Sequence, residues 1–79
     1  MKVDVKMPDL ATTGGELKIV KWLVDVGQPI QRGQAMLEVE TDKAAVEVEA
    51  FTAGVLVEAC VGVDDLVFVG DVIAVIETT

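Results

Sequence analysis

The chain has 79 residues, enough for one small domain with a single core but too few for a second domain or a deep enclosed active site. Hydrophobic residues make up 52% of it and aromatic residues only 4%, which is typical of a core built from β-branched side chains on strands. Fourteen acidic residues against six basic ones give a net charge of -8, which argues against nucleic acid and anionic membranes as partners and favours a partner with a basic surface.

The cysteine and histidine content limits the chemistry further. Cys60 is the one cysteine and there is no histidine, so neither an internal disulfide nor a Cys/His zinc site is available. Cys60 lies in an apolar run, and we expect a small core residue in a reducing compartment. No apolar run approaches the ~20 residues of a membrane span, and the first residues do not resemble a signal peptide.

The chain begins with two predicted strands. Lys2 to Met7 alternates apolar and charged residues and stops at Pro8, which predicts the first strand. A polar loop from Asp9 to Gly15 follows, and Leu17 to Val24 then alternates again without indicating which face is inward. Trp22 is interpreted as a core or flank residue.

The next stretch, Glu38 to Glu49, reads almost the same in both directions about Asp42-Lys43, which predicts a hairpin with a two-residue loop. The predicted cross-strand pairs are Thr41 with Ala44, Glu40 with Ala45, Val39 with Val46, Glu38 with Glu47, and Leu37 with Val48. This register gathers four aliphatic side chains on one face. Opposing two glutamates should cost roughly 0.2–1 kcal/mol, less than burying the aliphatics supplies at roughly 1.5–3 kcal/mol each.

Lys43 at the hairpin tip is the candidate functional residue. Most exposed lysines are simple solvated turn residues, but tight hairpin loops favour Asn-Gly, Asp-Gly or Gly-X, so turn chemistry does not explain this one. It is also a single cation among acidic neighbours, namely Glu38, Glu40, Asp42, Glu47 and Glu49. A modifying enzyme would reach a lysine presented in this way easily.

The rest of the chain predicts two further strands, Val55 to Val61 and Val72 to Ile76, with a loop from Gly62 to Gly70 between them. Asp64 and Asp65 in this loop are interpreted as solvated carboxylates, not a metal site. Strands that recur about every ten residues, without an amphipathic helix, indicate an all-β domain over residues 1–79.

An internal repeat refines the architecture. Gly33 to Thr41 lines up with Gly70 to Thr78 at a spacing of 37, and Val20 to Gly27 lines up with Val55 to Gly62 at a spacing of 35. Val3-Asp4-Val5 likewise matches a segment of the hairpin, which pairs the first strand with the last. We expect a flattened barrel or sandwich of two small antiparallel sheets with near two-fold symmetry, Lys43 at one end and both termini at the other.

Several of these motifs together resemble the lipoyl domain of the acyltransferase component of 2-oxo acid or acetoin dehydrogenase complexes, over the whole chain. They are Glu40-Thr41-Asp42-Lys43-Ala44, Met7-Pro8-Asp9, residues 19–24, and the Gly33 and Gly70 repeats. The resemblance implies that lipoic acid is attached by an amide bond to Lys43, with Glu40, Thr41, Asp42 and Ala44 as the flanks of the modification motif.

The resemblance also implies a non-catalytic carrier within a larger assembly. A thiamine-diphosphate decarboxylase would load the arm, the acyltransferase core would pass the acyl group to coenzyme A, and dihydrolipoyl dehydrogenase would reoxidise the arm. Lipoate ligase or a lipoyl transferase would attach the group. The chain would then be a monomeric domain near the N-terminus of a longer acyltransferase, in the bacterial cytoplasm or, in a eukaryote, the mitochondrial matrix.

The loop before the second strand departs from the family pattern. Ala11-Thr12-Thr13 stands where many of these domains have Gly-Glu-Gly, in a loop that helps the decarboxylase choose its carrier. The predicted recognition residues are Ala11, Thr12, Thr13, Gly14, Gly15 and Glu16. Pyruvate, acetoin, branched-chain and 2-oxoglutarate systems remain open, with an acetyl or acetaldehyde-derived group favoured by the Asp42-Lys43-Ala44 setting.

Other functions are less consistent with the residues. A biotinyl carrier domain is similar but typically flanks its lysine with methionines, whereas Asp42 and Ala44 stand here. The lipoylated carrier of glycine cleavage is a longer chain with helices. An interaction module without a prosthetic group would make Lys43 incidental, and an enzyme would need a nucleophile beside a base, which the sequence does not offer.

Overall fold

A computed structural model describes residues 1–8, 16–41 and 44–78, and these form eight strands and no helix. The strands are β1 (Lys2–Lys6), β2 (Glu16–Trp22), β3 (Pro29–Ile30), β4 (Ala35–Glu40), β5 (Ala45–Glu49), β6 (Gly54–Ala59), β7 (Leu66–Phe68) and β8 (Val72–Glu77). The all-β prediction is therefore confirmed. The described ranges contain no helix long and apolar enough to cross a membrane.

The strands form two four-stranded antiparallel sheets, in the orders β1-β8-β6-β3 and β5-β4-β2-β7. Their inner faces enclose one core in a body that measures 36 × 19 × 18 Å. Every buried residue among those described is apolar. The core comprises Val5, Met7, Leu17, Ile19, Val24, Ile30, Met36, Leu37, Val39, Val48, Ala50, Leu56, Val67, Ile73, Ala74 and Ile76. The predicted two-sheet sandwich is confirmed.

The hairpin of β4 and β5 has the predicted register. Leu37 pairs with Val48, Glu38 with Glu47, Val39 with Val46, and Glu40 with Ala45. Leu37, Val39 and Val48 are buried, and Val46 is partly buried against the core. The register could be predicted because side chains alternate between the two faces of a strand. A slip by one residue would have placed these aliphatic side chains in water.

A register shift in β2 explains why alternation did not identify one inward face. Leu17 and Ile19 are fully buried, but the pairing with β4 shifts between Ile19 and Lys21, so Lys21 points outward. Trp22 then packs against the core and its indole N–H donates to the carbonyl of Val61 at 3.0 Å. The interpretation of Trp22 as a core or flank residue is confirmed.

The repeat has a constant spacing of 37, so the spacing of 35 is wrong for its second segment. Gly27 N donates to Leu56 O at 2.6 Å, and 37 residues on, Asp64 N donates to Ile19 O at 2.8 Å. Gly27 and Asp64 also share a positive φ, 93° and 73°. Gly27 is thus equivalent to Asp64 and not to Gly62, and the two halves do not differ in loop length here.

Two short strands were missed by the sequence prediction. β7 lies within the stretch predicted as a loop from Gly62 to Gly70, and β3 follows the turn at Gly27. Each contributes one buried side chain, Ile30 or Val67, too few for a periodic signal. β3 pairs with β6, and β7 pairs with β2, so each sheet takes its edge strand from the other half of the repeat.

The prediction that Cys60 is a core residue is wrong, because the side chain is exposed. Without an irregularity in β6, Glu58 and Cys60 would share the inward face of the buried Leu56. The pairing with β8 shifts between Leu56 and Glu58, and Val61 packs against the core instead. Partial desolvation, followed by the charges of Glu58 and Asp4, raises the pKa of the Cys60 thiol.

Candidate functional site

The candidate site lies where β4 meets β5, which we call the hairpin end. Asp42 and Lys43 lie outside the described residues, so the site is built from the residues on either side. Thr41 N donates to Ala44 O at 2.8 Å, which confirms the predicted Thr41–Ala44 pair. Only two residues of the chain separate this pair, so Lys43 belongs to the loop that the pair closes.

The side chain of Thr41 makes a second connection across the ribbon. Its hydroxyl donates to Ala44 O at 2.8 Å and accepts from Ala44 N at 3.0 Å. Ser and Thr hydroxyls commonly shape turns through such local bonds to the backbone. The hydroxyl therefore helps close a loop whose sequence, Asp-Lys, lacks the glycine that tight hairpins favour.

The ribbon is acidic on its outward face, but β2 places two cations beside it. Glu40 is exposed and pairs across the sheet with Lys18, and Glu38 pairs with Lys21. Among charged residues, the sequence near Lys43 shows only acidic neighbours, since Lys18 and Lys21 are distant in the chain. To find these two lysines one must know the register between β2 and β4. The register shift after Ile19 hides it in the sequence.

The predicted recognition residues Ala11, Thr12, Thr13, Gly14 and Gly15 lie outside the described residues. Glu16, the last of them, is exposed and begins β2. It lies two residues before Lys18, the partner of Glu40, so it stands at the hairpin end of the sheet. Its partner on β7 is Phe68. Among the described residues, Glu16 is thus a predicted recognition residue that lies near the hairpin end.

Asp64 and Asp65 have roles in the fold. The Asp65 carboxylate accepts from Gly62 N at 2.8 Å, and a carboxylate oxygen of Asp64 lies 3.6 Å from Lys18 Nζ. Asp64 also takes the positive φ that its equivalent Gly27 has, a conformation that Asp tolerates better than most residues. These contacts connect both carboxylates to neighbouring residues.

The chain termini meet at the opposite end from the hairpin. Thr78 N donates to Met1 O at 2.8 Å and the Met1 amine donates to Thr78 O at 3.1 Å. Glu77, near the end of β8, pairs with Val55, and Val55 pairs with Pro29 on its other side. Pro29 lies a few residues before the start of β4, whereas the hairpin loop follows the end of β4. The predicted placement of the hairpin and the termini at opposite ends is confirmed.

The chain is similar to known proteins over most of its length. The model of the biotin and lipoyl attachment family, described as biotin-requiring enzyme, matches residues 3–76. The chain is 45% identical over 73 residues to the dihydrolipoyllysine-residue succinyltransferase component of a 2-oxoglutarate dehydrogenase complex from Staphylococcus saprophyticus, with 92% of this chain and 17% of the relative covered. It is 42% identical over 77 residues to the dihydrolipoyllysine-residue acetyltransferase component of a pyruvate dehydrogenase complex from Zymomonas mobilis, with 95% and 17% covered.

A solved structure gives the same picture. The solution structure of the lipoyl domain of the 2-oxoglutarate dehydrogenase complex from Azotobacter vinelandii matches with a TM-score of 0.76 and 25% identity, over 96% of both chains. The chain spans about a sixth of the length of the two curated relatives, 17% in each case.

Proposed function

Because the chain belongs to the biotin and lipoyl attachment family and is a lipoyl domain of the kind found in dihydrolipoyllysine acyltransferases, we propose that lipoic acid is carried on Lys43. The observation that carries this assignment is the closure of the hairpin by Thr41 and Ala44, which leaves two residues for the loop, one of them the lysine. The rigid ribbon behind this loop would fix the attachment point, and the amide bond would remove the charge of the amine.

In this proposal the domain moves an acyl group and does not itself catalyse a reaction. Lipoic acid, when attached, supplies the dithiolane that takes up and releases the acyl group. The chain's own residues hold the arm away from the body of the sandwich. Tethering of this kind raises the effective concentration of the arm at each enzyme that it visits, and keeps the acyl group attached between visits.

The proposed partners are those of the complexes to which the relatives belong. A thiamine-diphosphate decarboxylase would load the arm, an acyltransferase core would pass the group to coenzyme A, and dihydrolipoyl dehydrogenase would reoxidise the arm. Lipoate ligase or a lipoyl transferase would attach the cofactor. The small share of each relative that the chain covers supports the proposal that the chain is a domain of a longer acyltransferase. We further propose that this protein acts in the bacterial cytoplasm or, in a eukaryote, in the mitochondrial matrix.

A biotinyl carrier is the second candidate, because the matching family model covers both cofactors. The curated relatives are dihydrolipoyllysine acyltransferases, and Asp42 and Ala44 are not the methionines typical of biotinyl domains. Specificity between the two modifying enzymes would then depend on these flanks, because both enzymes would meet a hairpin of the same shape.

The intact mass of the chain tests the assignment. The chain is expressed in parallel with lipoate and lipoate ligase, and with biotin and biotin ligase. We expect one lipoyl group per chain in the first case, no gain in mass in the second, and no lipoylation of the Lys43→Arg variant. Lipoylation of that variant, or preferential biotinylation of the unaltered chain, would overturn the assignment.

A further inference from the structure

Two large apolar side chains stand exposed on β7. Leu66 and Phe68 are 57% and 52% exposed, whereas Val67 between them is 2% exposed and lies in the core. The alternation of a strand therefore points both large side chains outward. Val69 follows at 43% exposure. We call Leu66, Phe68 and Val69 the β7 patch.

The β7 patch lies beside the hairpin loop. Leu66 pairs with Lys18, whose partner on the other side is Glu40, the residue before Thr41. Directly paired residues share a face of a sheet, so Leu66 and Glu40 point to the same side. Two strand spacings of about 4.8 Å separate them, or about 10 Å. A protein that encloses the end of the ribbon would cover this patch.

The fold itself does not require apolar side chains at the positions of Phe68 and Val69. At the constant spacing of 37, the equivalents of the β7 patch at the other end of the domain are Pro29, Gln31 and Arg32. The local backbone contacts are the same there, since Phe68 N donates to Asp71 Oδ2 at 2.8 Å and Gln31 N donates to Gln34 Oε1 at 2.9 Å. Gln31 and Arg32 are polar, and Pro29 is smaller than Leu66, so the sandwich accepts polar side chains in the setting of Phe68 and Val69.

A neighbouring valine serves as a contrast. Val63 is 55% exposed, and its equivalent at the other end, Val26, is 60% exposed. Both halves of the repeat therefore carry a valine in this turn, so its exposure belongs to the shared fold. Phe68 is different, because its equivalent in the other half is the polar Gln31, and Leu66 has the smaller Pro29 as its equivalent.

Carboxylates border the β7 patch. Glu16 pairs with Phe68, Asp71 accepts from Phe68 N, and Asp64 and Asp65 precede Leu66 in the chain. Lys18 lies next to Leu66 but is already within 3.6 Å of Asp64. An apolar centre with an acidic border is complementary to an apolar pocket bordered by Lys or Arg, an arrangement common at protein interfaces.

We propose that the β7 patch is the docking surface for the enzyme that loads the acyl group onto the arm, through an apolar pocket with a basic border on that enzyme. The proposal rests on the carrier function proposed above. The loading enzyme is the partner to which we commit, because it must select this domain before any acyl group is attached. The patch would lower the KM of loading without taking part in attachment of the cofactor.

The test uses the lipoylated chain, with the lipoyl content of each variant verified by mass. Leu66→Gln combined with Phe68→Gln removes the apolar centre, and Phe68→Leu alone keeps it apolar. Val26→Gln is the matched control, since Val26 is as exposed but lies at the other end. The probes are the pyruvate and the 2-oxoglutarate decarboxylase components of the source organism, with loading measured as kcat/KM and dihydrolipoyl dehydrogenase turnover measured alongside.

We expect the double variant to lower kcat/KM of loading by at least about tenfold with one decarboxylase, through KM, because it removes the apolar centre in which the binding energy of an interface is concentrated. Phe68→Leu and Val26→Gln should stay within about twofold, with unchanged thermal midpoints. Added salt should raise KM for the unaltered domain, since exposed charges are screened.

Unchanged loading of the double variant by both decarboxylases would overturn the proposal. So would an equal loss in lipoylation or in dehydrogenase turnover, because the patch would then serve no particular partner. A failure of the carrier assignment is distinguishable, since Lys43 would then take up no lipoic acid in any variant.

Discussion

Thr41 and Thr78, 37 residues apart, each donate two hydrogen bonds to one backbone oxygen, at opposite ends of the domain. The Thr41 hydroxyl donates to Ala44 O at 2.8 Å, and the Thr78 hydroxyl donates to Met1 O at 3.1 Å. Their backbone N–H groups donate to the same two oxygens, each at 2.8 Å. One closing arrangement is therefore used twice, once on the loop that bears Lys43 and once at the chain ends.

Substitutions of Thr41 and Thr78 can distinguish the effect of the hydroxyl on lipoylation of the loop from its effect on the unfolding free energy. Thr41→Val and Thr78→Val should each cost about 1 kcal/mol of unfolding free energy at most, since each removes one exposed hydroxyl from hydrogen bonding. Only Thr41→Val should slow lipoylation, because only it loosens the loop that presents Lys43, and Thr41→Ser should restore the rate. Lipoate ligase kinetics followed by intact mass measure this, and equal slowing in Thr78→Val would contradict it.

The position of the amine should matter more than its exposure. Exchange of Asp42 with Lys43, or of Lys43 with Ala44, moves the lysine one residue along the loop and leaves the buried aliphatics untouched. The unfolding free energy should change by less than about 1 kcal/mol, as is usual for surface substitutions. Lipoylation should fall severely in both variants. Modification at the original rate would mean that simple accessibility is sufficient.

The flanks of the lysine should contribute to the choice of cofactor. Replacement of Asp42 and Ala44 by methionine gives the loop the flanks typical of a biotinyl domain, so incorporation by biotin ligase should rise while the fold is kept. Streptavidin capture and intact mass together measure the gain. Absence of any gain would place the discrimination elsewhere on the surface.

Gly54 should be less replaceable than Gly62, the other described glycine without a left-handed φ, because β6 and β8 approach closely at Gly54. A Cβ at Gly54 would overlap the carbonyl oxygen of Glu77 and lie 2.7 Å from Ile76 Cγ2. Gly54→Ala should therefore cost roughly 1–3 kcal/mol, as overpacking of a core does. At Gly62 the nearest atom would be Asp65 Oδ2 at 3.7 Å, so Gly62→Ala is the control. Urea unfolding that showed equal midpoints for the two variants would contradict the expected close contact.

Cys60 should react slowly with alkylating reagents although it is exposed. Its pKa is raised, first by partial desolvation and then by the charges of Glu58 and Asp4, so a smaller fraction is thiolate at a given pH. Since the thiolate is the nucleophile, the pH at which iodoacetamide labelling reaches half its maximal rate should lie above that of an unstructured cysteine peptide. Glu58→Gln should lower it, because the variant removes a negative charge. A midpoint at or below that of the peptide would contradict the raised pKa.

The sequence predicted the strands whose alternate side chains are buried, because burial determines which way each side chain points. The β4–β5 register followed from period-two alternation on either side of Asp42-Lys43. The spacing of 35 failed for a definite reason, because Gly27 was aligned with another glycine, Gly62. Its true equivalent is Asp64, which takes a similar positive φ with a different side chain.

The remaining errors arise where local irregularity outweighs periodicity. A register shift after Leu56 exposed Cys60, and β3 and β7 are too short to show a pattern. Lys18 and Lys21 lie beside the hairpin because β2 pairs with β4, and these two segments are about twenty residues apart in the chain. The sequence did not predict the β7 patch, because the patch lies in a stretch that was predicted only as a loop.

The exchange of edge strands between the two halves has a consequence for how the domain folds. Among the described strands, β4 and β5 are the only neighbours in sequence that pair with each other, and β1 must wait for β8 at the far end of the chain. Domains dominated by such distant pairings fold slowly, in milliseconds to seconds, whereas a single hairpin forms in microseconds. The ribbon of β4 and β5 is therefore the segment able to form first. The equivalent pair at the chain ends, β1 and β8, can form only once the last strand is available.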